Sequence, residues 1–161
     1  METLAEGRPP GGILSGVKMS KVEDYQAELR DMDSWDEFLL RSSGLPGRRA
    51  NIELAQAVAL EGNRQLFKHY LTYPPESAPV NSPEEFLVFC GVLGYGRLLS
   101  EGEDKHFQTL HACAGDPRWR IREAVALALQ MLGRSDMDRL ILEMGAWSTE
   151  GPLVQRAAAA G

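Results

Sequence analysis

The sequence predicts an all-α solenoid of about four antiparallel helical hairpins that follow a disordered leader. Apolar residues recur at helical spacing in most segments, and runs of alternating β-branched residues are absent. Glycine, proline and capping residues separate these periodic segments. An apolar pattern also recurs after 33 residues, where Ile121, Ala124 and Val125 are followed by Val154, Ala157 and Ala158.

Length, charge and cysteine content limit the class of protein. The 161 residues suit one domain, and the formal charge of −6 argues against an indiscriminate nucleic-acid binder. The two cysteines, Cys90 and Cys113, lie in apolar helical patterns, which is typical of reduced thiols in a cytoplasmic protein. The longest apolar run, residues 86–99, contains glycines and Arg97 and is too short to span a bilayer. We therefore expect a cytoplasmic protein without a membrane partner.

The first part of the chain predicts a leader and one hairpin. Residues 1–18 are rich in glycine and proline without periodicity, so we expect a disordered leader before a helical repeat domain at 19–161. Residues 20–31 predict a short amphipathic helix. A capping box at 34–37 predicts the start of the next helix, and a second helix is predicted over 49–61.

The second hairpin contains the element that we expect to be most buried. Asn63 is predicted to cap its first helix, and the proline-rich loop 72–81 follows. Ser82 and Pro83 form a strong start signal for a helix that runs to about Leu99. This helix is apolar nearly all round, which is typical of a helix buried in a protein core.

Residues 104–133 predict a third hairpin with a tight turn. Gly115 is predicted to end its first helix in the left-handed conformation. Asp116 and Pro117 suit the cap and first position of the second helix, which Gly133 is predicted to end. The second helix has a broad apolar stripe that comprises Ile121, Ala124, Val125, Ala128, Leu129 and Leu132.

A fourth hairpin is predicted from Ser135 onward. Its first helix is expected to direct three apolar residues inward, namely Leu140, Ile141 and Met144. A turn at 145–151 leads into a second helix, and the sequence stops within this helix at Gly161. We therefore expect the chain to be the N-terminal part of a longer array.

The second helix of the third hairpin resembles the inner helix of HEAT repeats, which reads roughly Asp-Pro-x-x-x-Val-Arg-x-Ala-Ala-x-x-Ala-Leu. The matching residues are Asp116, Pro117, Ile121, Arg122, Ala124, Val125, Ala128 and Leu129. The resemblance implies an armadillo-like α-α superhelix, in which Asp116 and Arg122 would contribute to a polar ladder between repeats. The match is partial in the fourth hairpin, where Thr149 and Gln155 replace the Asp and Arg, and weak in the first two.

Arginine and tryptophan alternate where this helix begins, at Arg118, Trp119, Arg120 and Arg122. One interpretation is a solvated arginine face that pairs with nearby carboxylates. The other follows from a weaker resemblance to the HEAT-like DNA alkylation repair glycosylases. It implies that Trp119 and Trp147 would contact a base and that Asp116 would be the acidic residue. The acidic net charge and the capping role of Asp116 argue against this alternative.

We expect no metal, no cofactor and no catalytic residue. His106, His111 and Cys113 are close in sequence, but a zinc site needs about four ligands and no second Cys/His cluster is available. Gly91 and Gly94 are not followed by the Lys-Ser/Thr pair of a phosphate loop. Close helix packing is the better interpretation of these glycines.

The predicted function is a non-enzymatic scaffold that binds a partner protein or peptide on its concave face. That face would be lined by inner helices at about 49–61, 83–99, 117–132 and 152–161. The expected binding residues are Trp119, Arg122, Glu123, Gln130, Arg118 and Trp147.

Overall fold

The computed structural model of the protein describes residues 21–160, and every regular element in this range is helical. The all-helical class predicted from the sequence is therefore confirmed for these residues. The leader predicted at 1–18 lies outside the described residues. In the described range, no helix combines the length and the apolar character that a bilayer crossing requires.

The helices follow one another with short connections, apart from the loop between α4 and α5. They are α1 (residues 21–30), α2 (Asp36–Ser42), α3 (Ile52–Glu61), α4 (Arg64–Tyr70), α5 (Pro83–Ser100), α6 (Phe107–Ala114), α7 (Trp119–Ser135), α8 (Met137–Trp147) and α9 (Pro152–Ala160). A turn of 3-10 helix, Asp104–His106, leads directly into α6.

Helix α5 is the centre of the fold, as its apolar sequence predicted. Nearly all of its side chains are buried, and it packs against α2, α3, α4, α6 and, most extensively, α7. Glycines permit two of these contacts. A Cβ at Gly94 would lie 2.3 Å from the ring of Phe67, and one at Gly96 would lie 2.8 Å from the Cα of Ala128. Gly94 therefore serves close helix packing, as predicted.

Successive helices pair in the second, third and fourth predicted hairpins. Helix α4 packs on α5, α6 on α7, and α8 on α9. Helices α3, α5, α7 and α9 also contact one another in that order. The first hairpin differs from the prediction, because α2 makes its main contact with α5 rather than with α3. The buried apolar side chains form one continuous cluster, from Val22 in α1 to Ala157 in α9.

Side-chain caps begin several helices where the sequence signals them. Asn63 accepts from the Leu66 N–H at 2.9 Å, and Ser82 accepts from the Glu85 N–H at 3.2 Å. The carboxylate of Glu85 accepts in turn from the Asn81 N–H at 2.9 Å. These two predicted caps are confirmed.

The predicted start of α2 is wrong. Helix α2 begins at Asp36 without a side-chain cap, and Trp35 already has helical dihedral angles. The indole N–H of Trp35 donates to the Leu29 carbonyl at 2.9 Å, which anchors the helix to the end of α1. The Leu39 N–H donates to the Trp35 carbonyl at 2.8 Å, so Trp35 rather than Ser34 occupies the cap position.

The boundaries of α7 also differ from the prediction. The helix begins at Trp119 rather than Pro117, because Arg118 is extended. It continues through Gly133 to Ser135. A Cβ at Gly133 would lie 2.9 Å from a methyl group of Leu140, so this glycine allows α8 to approach. Gly115 has a φ of −96°, so the turn before α7 does not use the predicted left-handed conformation.

In α8 the inward face is rotated relative to the prediction. Leu140 and Met144 are buried as expected, whereas Ile141 is 61% exposed. The third inward residue is Trp147, which the sequence placed in a turn. Leu140, Met144 and Trp147 follow one another at helical spacing, so they form a narrow stripe on one face of α8. A single neighbouring layer of helices can cover a stripe of this width.

Candidate interaction groove between α7 and α9

A cleft of ≈ 330 Å³ lies between α7 and α9. It is called the α7–α9 groove below. Its lining residues on α7 are Trp119, Arg122, Glu123 and Ala126, and on α9 they are Leu153, Arg156, Ala157 and Ala160. Three of the predicted binding residues, Trp119, Arg122 and Glu123, are therefore brought together in one concavity.

The two walls of the groove share a sequence pattern. On each helix a large apolar residue is followed by an arginine three positions later and an alanine seven positions later. This spacing places the three residues on one helix face. The matching pairs, 34 residues apart, are Trp119 and Leu153, Arg122 and Arg156, and Ala126 and Ala160. Residues from the first half of α7 and residues along the whole of α9 therefore line the same cleft.

Trp119 is the most distinctive side chain of the groove. It is 47% exposed, which is unusual for a tryptophan in a folded domain. The guanidinium of Arg120 lies over its ring, 4.5 Å from the ring centroid. Arg120 is itself buried and donates to the Gly47 carbonyl at 3.2 Å and to the Glu85 carboxylate at 3.3 Å. The indole therefore contacts a fixed cation while about half of the side chain stays exposed to solvent.

The charges of the groove are two guanidinium groups and one carboxylate. Arg122 donates to the carbonyls of Asp116 at 2.7 Å and Pro117 at 3.1 Å, which holds its side chain against the first turn of α7. Arg156 is exposed. Among the ion pairs between described residues, none includes Arg122 or Arg156. The groove is thus locally basic in a chain whose formal charge is −6.

Arg118, which is also among the predicted binding residues, does not line the groove. It is 4% exposed and forms a two-pronged ion pair with the Asp116 carboxylate, with N–O distances of 2.9 and 2.8 Å. It also donates to the carbonyls of Tyr73 at 3.1 Å and Ala78 at 3.2 Å. The hydrogen bond with Asp116 raises the pKa of this guanidinium further above its ordinary value. Arg118 fastens the loop before α5 to the start of α7.

This arrangement also changes the predicted polar ladder. The Asp116 carboxylate pairs with Arg118 and accepts from the Arg118 N–H at 2.8 Å, so it neither caps α7 nor pairs with Arg122. Arg122 binds the Asp116 carbonyl instead. Both interactions stay within the segment that begins α7.

Trp147 is also absent from the groove. It is 2% exposed, and its indole N–H donates to Glu143 at 3.1 Å. Its ring meets the His111 ring edge to face at 5.1 Å. It contributes to a separate cleft of ≈ 240 Å³ between α6 and α8. Direct contact between Trp147 and a partner stays a prediction, and in the free chain this side chain is buried.

Gln130, the remaining predicted binding residue, connects the two helices. Its side-chain amide donates to the Ala160 carbonyl at 2.8 Å. Ala160 is the last residue of α9 and also lines the groove, whereas Gln130 does not. Gln130 therefore fixes the spacing of the walls and is not itself in the lining.

The histidines and cysteines have ordinary structural surroundings. The ring of His106 lies 4.9 Å from that of Tyr95, and its Nε2 is 3.0 Å from the Glu103 carboxylate. Burial raises the pKa of the Cys113 thiol to about 11 and that of Cys90 further. Across residues 21–160, no three His, Cys, Asp or Glu side chains are grouped as a metal ion would require.

The residues that sequence reasoning missed are those of the α9 wall. Leu153, Arg156 and Ala160 complete the groove, and the 34-residue spacing from α7 was the signal available for finding them. A second missed feature is the outer face of α8, where Met137, Ile141 and Leu142 are exposed.

Comparison of the chain with protein-family models, with curated proteins and with solved structures finds no match. The functional argument therefore depends on the groove itself.

Proposed function

We propose that this chain is a non-enzymatic, HEAT-like helical scaffold that binds a partner protein in the α7–α9 groove. The observation that carries this proposal is the position of Trp119. This side chain is about half exposed at the groove, and the guanidinium of Arg120 lies against its ring. Exposed aromatic residues held in a fixed orientation are the usual anchors of protein interfaces. The proposed location is the cytoplasm, where Cys90 and Cys113 would remain free thiols.

The pairing of helices supports the HEAT-like part of the proposal. Helices α4 to α9 form successive packed pairs, and α5, α7 and α9 contact one another in order. Alanines and glycines at the contacts, such as Gly96 against Ala128, let these helices approach closely. In stacked helical pairs of this kind, grooves between consecutive inner helices are natural binding surfaces.

The glycosylase alternative receives less support from the geometry. Both carboxylate oxygens of Asp116 accept hydrogen bonds from Arg118, so this acidic group is already engaged. Trp147 is buried against His111 in a different cleft from Trp119. The three residues that this alternative requires do not share one concavity.

A quantitative pull-down from source-cell lysate tests the proposal. Wild-type protein, Trp119→Ala and Leu142→Ala are immobilised in parallel, with and without nuclease, and captured proteins are measured by mass spectrometry. Leu142→Ala is the matched control, because Leu142 is an exposed apolar residue on α8 and is 79% exposed. We expect a nuclease-resistant partner that Trp119→Ala loses and Leu142→Ala retains. Equal capture by all three proteins would show that the groove is not the binding site.

A further inference from the structure

We infer that the α7–α9 groove selects an acidic peptide segment. A carboxylate of the segment pairs with Arg122 and Arg156, and a large apolar side chain lies beside Trp119 and Leu153. This inference rests on the proposed function, and it adds the chemistry of the partner.

The first argument is charge complementarity. Arg122 and Arg156 occupy equivalent positions on the two walls, and neither has a carboxylate partner among the described ion pairs. A guanidinium group binds a carboxylate through two parallel N–H donors, which makes arginine a selective receptor for Asp and Glu side chains. Glu123 is the acidic side chain of the lining, so two cations face one anion. The groove therefore attracts an anionic segment and repels a basic one.

The second argument is the separation of apolar and charged surface along the groove. Trp119 and Leu153 form its apolar end, and the arginines follow one helical turn later on each wall. Beyond them the small residues Ala126 and Ala160 leave space. A bound segment would therefore place an apolar side chain close to an acidic one. Such a combination of a buried anchor and a polar rim is typical of peptide sites.

The third argument is size. A cleft of ≈ 330 Å³ is at the lower end of the range for ligand sites, which is roughly 300–1,000 Å³. It accommodates a few side chains and excludes a folded domain. A short extended or helical segment is the partner that fits.

Nucleic acid fits the same observations less well. A phosphate backbone would bring several negative charges close to a chain with a formal charge of −6, and Glu123 lies in the groove itself. Tight non-specific binding of nucleic acid depends on many basic contacts, whereas the groove offers two. A single carboxylate brings only one negative charge beside Glu123, and the two arginines offset it.

Selection from a library of random short peptides displayed on phage provides the test. Full-length protein is the bait, and parallel selections use Trp119→Ala, the double variant Arg122→Glu with Arg156→Glu, and Arg134→Glu. Arg134 is an exposed arginine of α7 outside the groove, so its variant controls for the reversal of an exposed charge on this helix. Enriched peptides are synthesised with a fluorescent label, and their affinities are measured by anisotropy beside a labelled thymidine oligonucleotide.

We expect enriched peptides that combine Asp or Glu with a large apolar residue. The double charge reversal should weaken them by about tenfold, because each surface ion pair contributes up to ~1 kcal/mol. Arg134→Glu should leave their affinity unchanged, and the oligonucleotide should not compete. Peptides that depend on Trp119 without any acidic preference would overturn this inference but leave the groove as a binding site. Failure to enrich any Trp119-dependent peptide, or displacement by the oligonucleotide, would overturn both proposals.

Discussion

Arg120 and Glu85 form an ion pair that is almost completely shielded from solvent and joins the first turn of α7 to the first turn of α5. Their closest N–O distance is 3.3 Å, and their side chains are 2% and 0% exposed. Arg120 also binds the Gly47 carbonyl, so three distant segments meet at one guanidinium. The same guanidinium supports the ring of Trp119. The stability of the core and the geometry of the groove therefore depend on one residue.

Replacing Arg120 with alanine should destabilise the protein by about 3–5 kcal/mol, because it leaves the Glu85 carboxylate buried without its partner. The free energy of unfolding in urea measures this change. Arg49→Ala is the matched control, since the Arg49–Glu53 pair has an arginine that is 65% exposed. It should cost less than ~1 kcal/mol.

The double variant Arg120→Met with Glu85→Leu separates the contribution of the ion pair from other causes of lost stability. With both charges removed, the loss of stability should be clearly smaller than the sum of the two single losses. Additive losses would mean that the two groups do not depend on each other in the folded protein.

Two glycine substitutions should change stability in opposite directions. Gly94→Ala would place a Cβ 2.3 Å from the Phe67 ring, and overpacking of this kind costs about 1–3 kcal/mol. Gly145→Ala meets nothing within 4 Å, so the higher helix propensity of alanine should stabilise α8 by about 0.5–1 kcal/mol. Thermal unfolding of both variants measures the difference. A stable Gly94→Ala protein would contradict the close approach of α4 and α5.

The two thiols should react slowly with alkylating reagents. Burial is the main cause that raises the pKa of Cys113 from 9.0 to about 11, so near neutral pH its thiolate fraction falls about a hundredfold. Cys90 is fully buried and should react only after unfolding. Iodoacetamide labelling followed by mass spectrometry gives both rates, with urea-unfolded protein as the reference. Labelling of folded Cys113 at the unfolded rate would show that its surroundings are more open than the structure indicates.

Acid should weaken the contact between α1 and α3. The hydrogen bond from Arg30 lowers the pKa of Glu61, and Gln26 also donates to this carboxylate at 2.8 Å. A carboxylate whose pKa is lower in the folded than in the unfolded protein stabilises the fold at pH values above its unfolded pKa. This contribution is lost as the pH falls through the folded pKa. Between neutral and strongly acidic pH, the melting temperature of Glu61→Gln should therefore fall less than that of wild type.

Glu76→Gln is the control for that experiment. Glu76 is exposed in the loop before α5, and the substitution changes the formal charge equally. Its melting temperature should follow that of wild type at every pH. Identical pH dependence of Glu61→Gln and wild type would mean that the Arg30–Glu61 pair does not stabilise the fold.

The parts of the fold that sequence could predict are those determined by local patterns. The stripe from Ile121 to Leu132 is buried as predicted, and the caps at Asn63 and Ser82 form where the residue types require them. These features depend on residues within one or two helical turns of each other. The all-helical class follows from the same local information.

The errors concern side chains whose partners are distant in sequence. Arg118 and Arg120 were expected on a surface, yet Arg118 binds Ala78 and Arg120 binds Gly47, which is 73 positions away. An arginine can be buried when backbone carbonyls and a carboxylate satisfy its donors, and no local pattern shows whether they will. Trp147 was likewise expected to be accessible to a partner. Its burial depends on how α8 is rotated about its axis, and this rotation depends on where α6 lies.

The groove itself was half predictable. Trp119, Arg122 and Glu123 were selected from the composition of α7 alone. The α9 wall required knowing that α7 and α9 pack with a 34-residue offset, whereas the core residues repeat after 33. One residue of offset rotates a helix face by about 100°, which changes which residues line the groove.

Hydrogen–deuterium exchange, with and without the partner recovered by pull-down, tests the central claim most directly. Helix α9 has one buried side chain, Ala157, so its amides should exchange rapidly in the free protein. If a partner segment occupies the groove, α9 and the first half of α7 should become protected, while α2 and the outer face of α8 should not change. Protection confined to α8, or to the region around α2, would contradict the account.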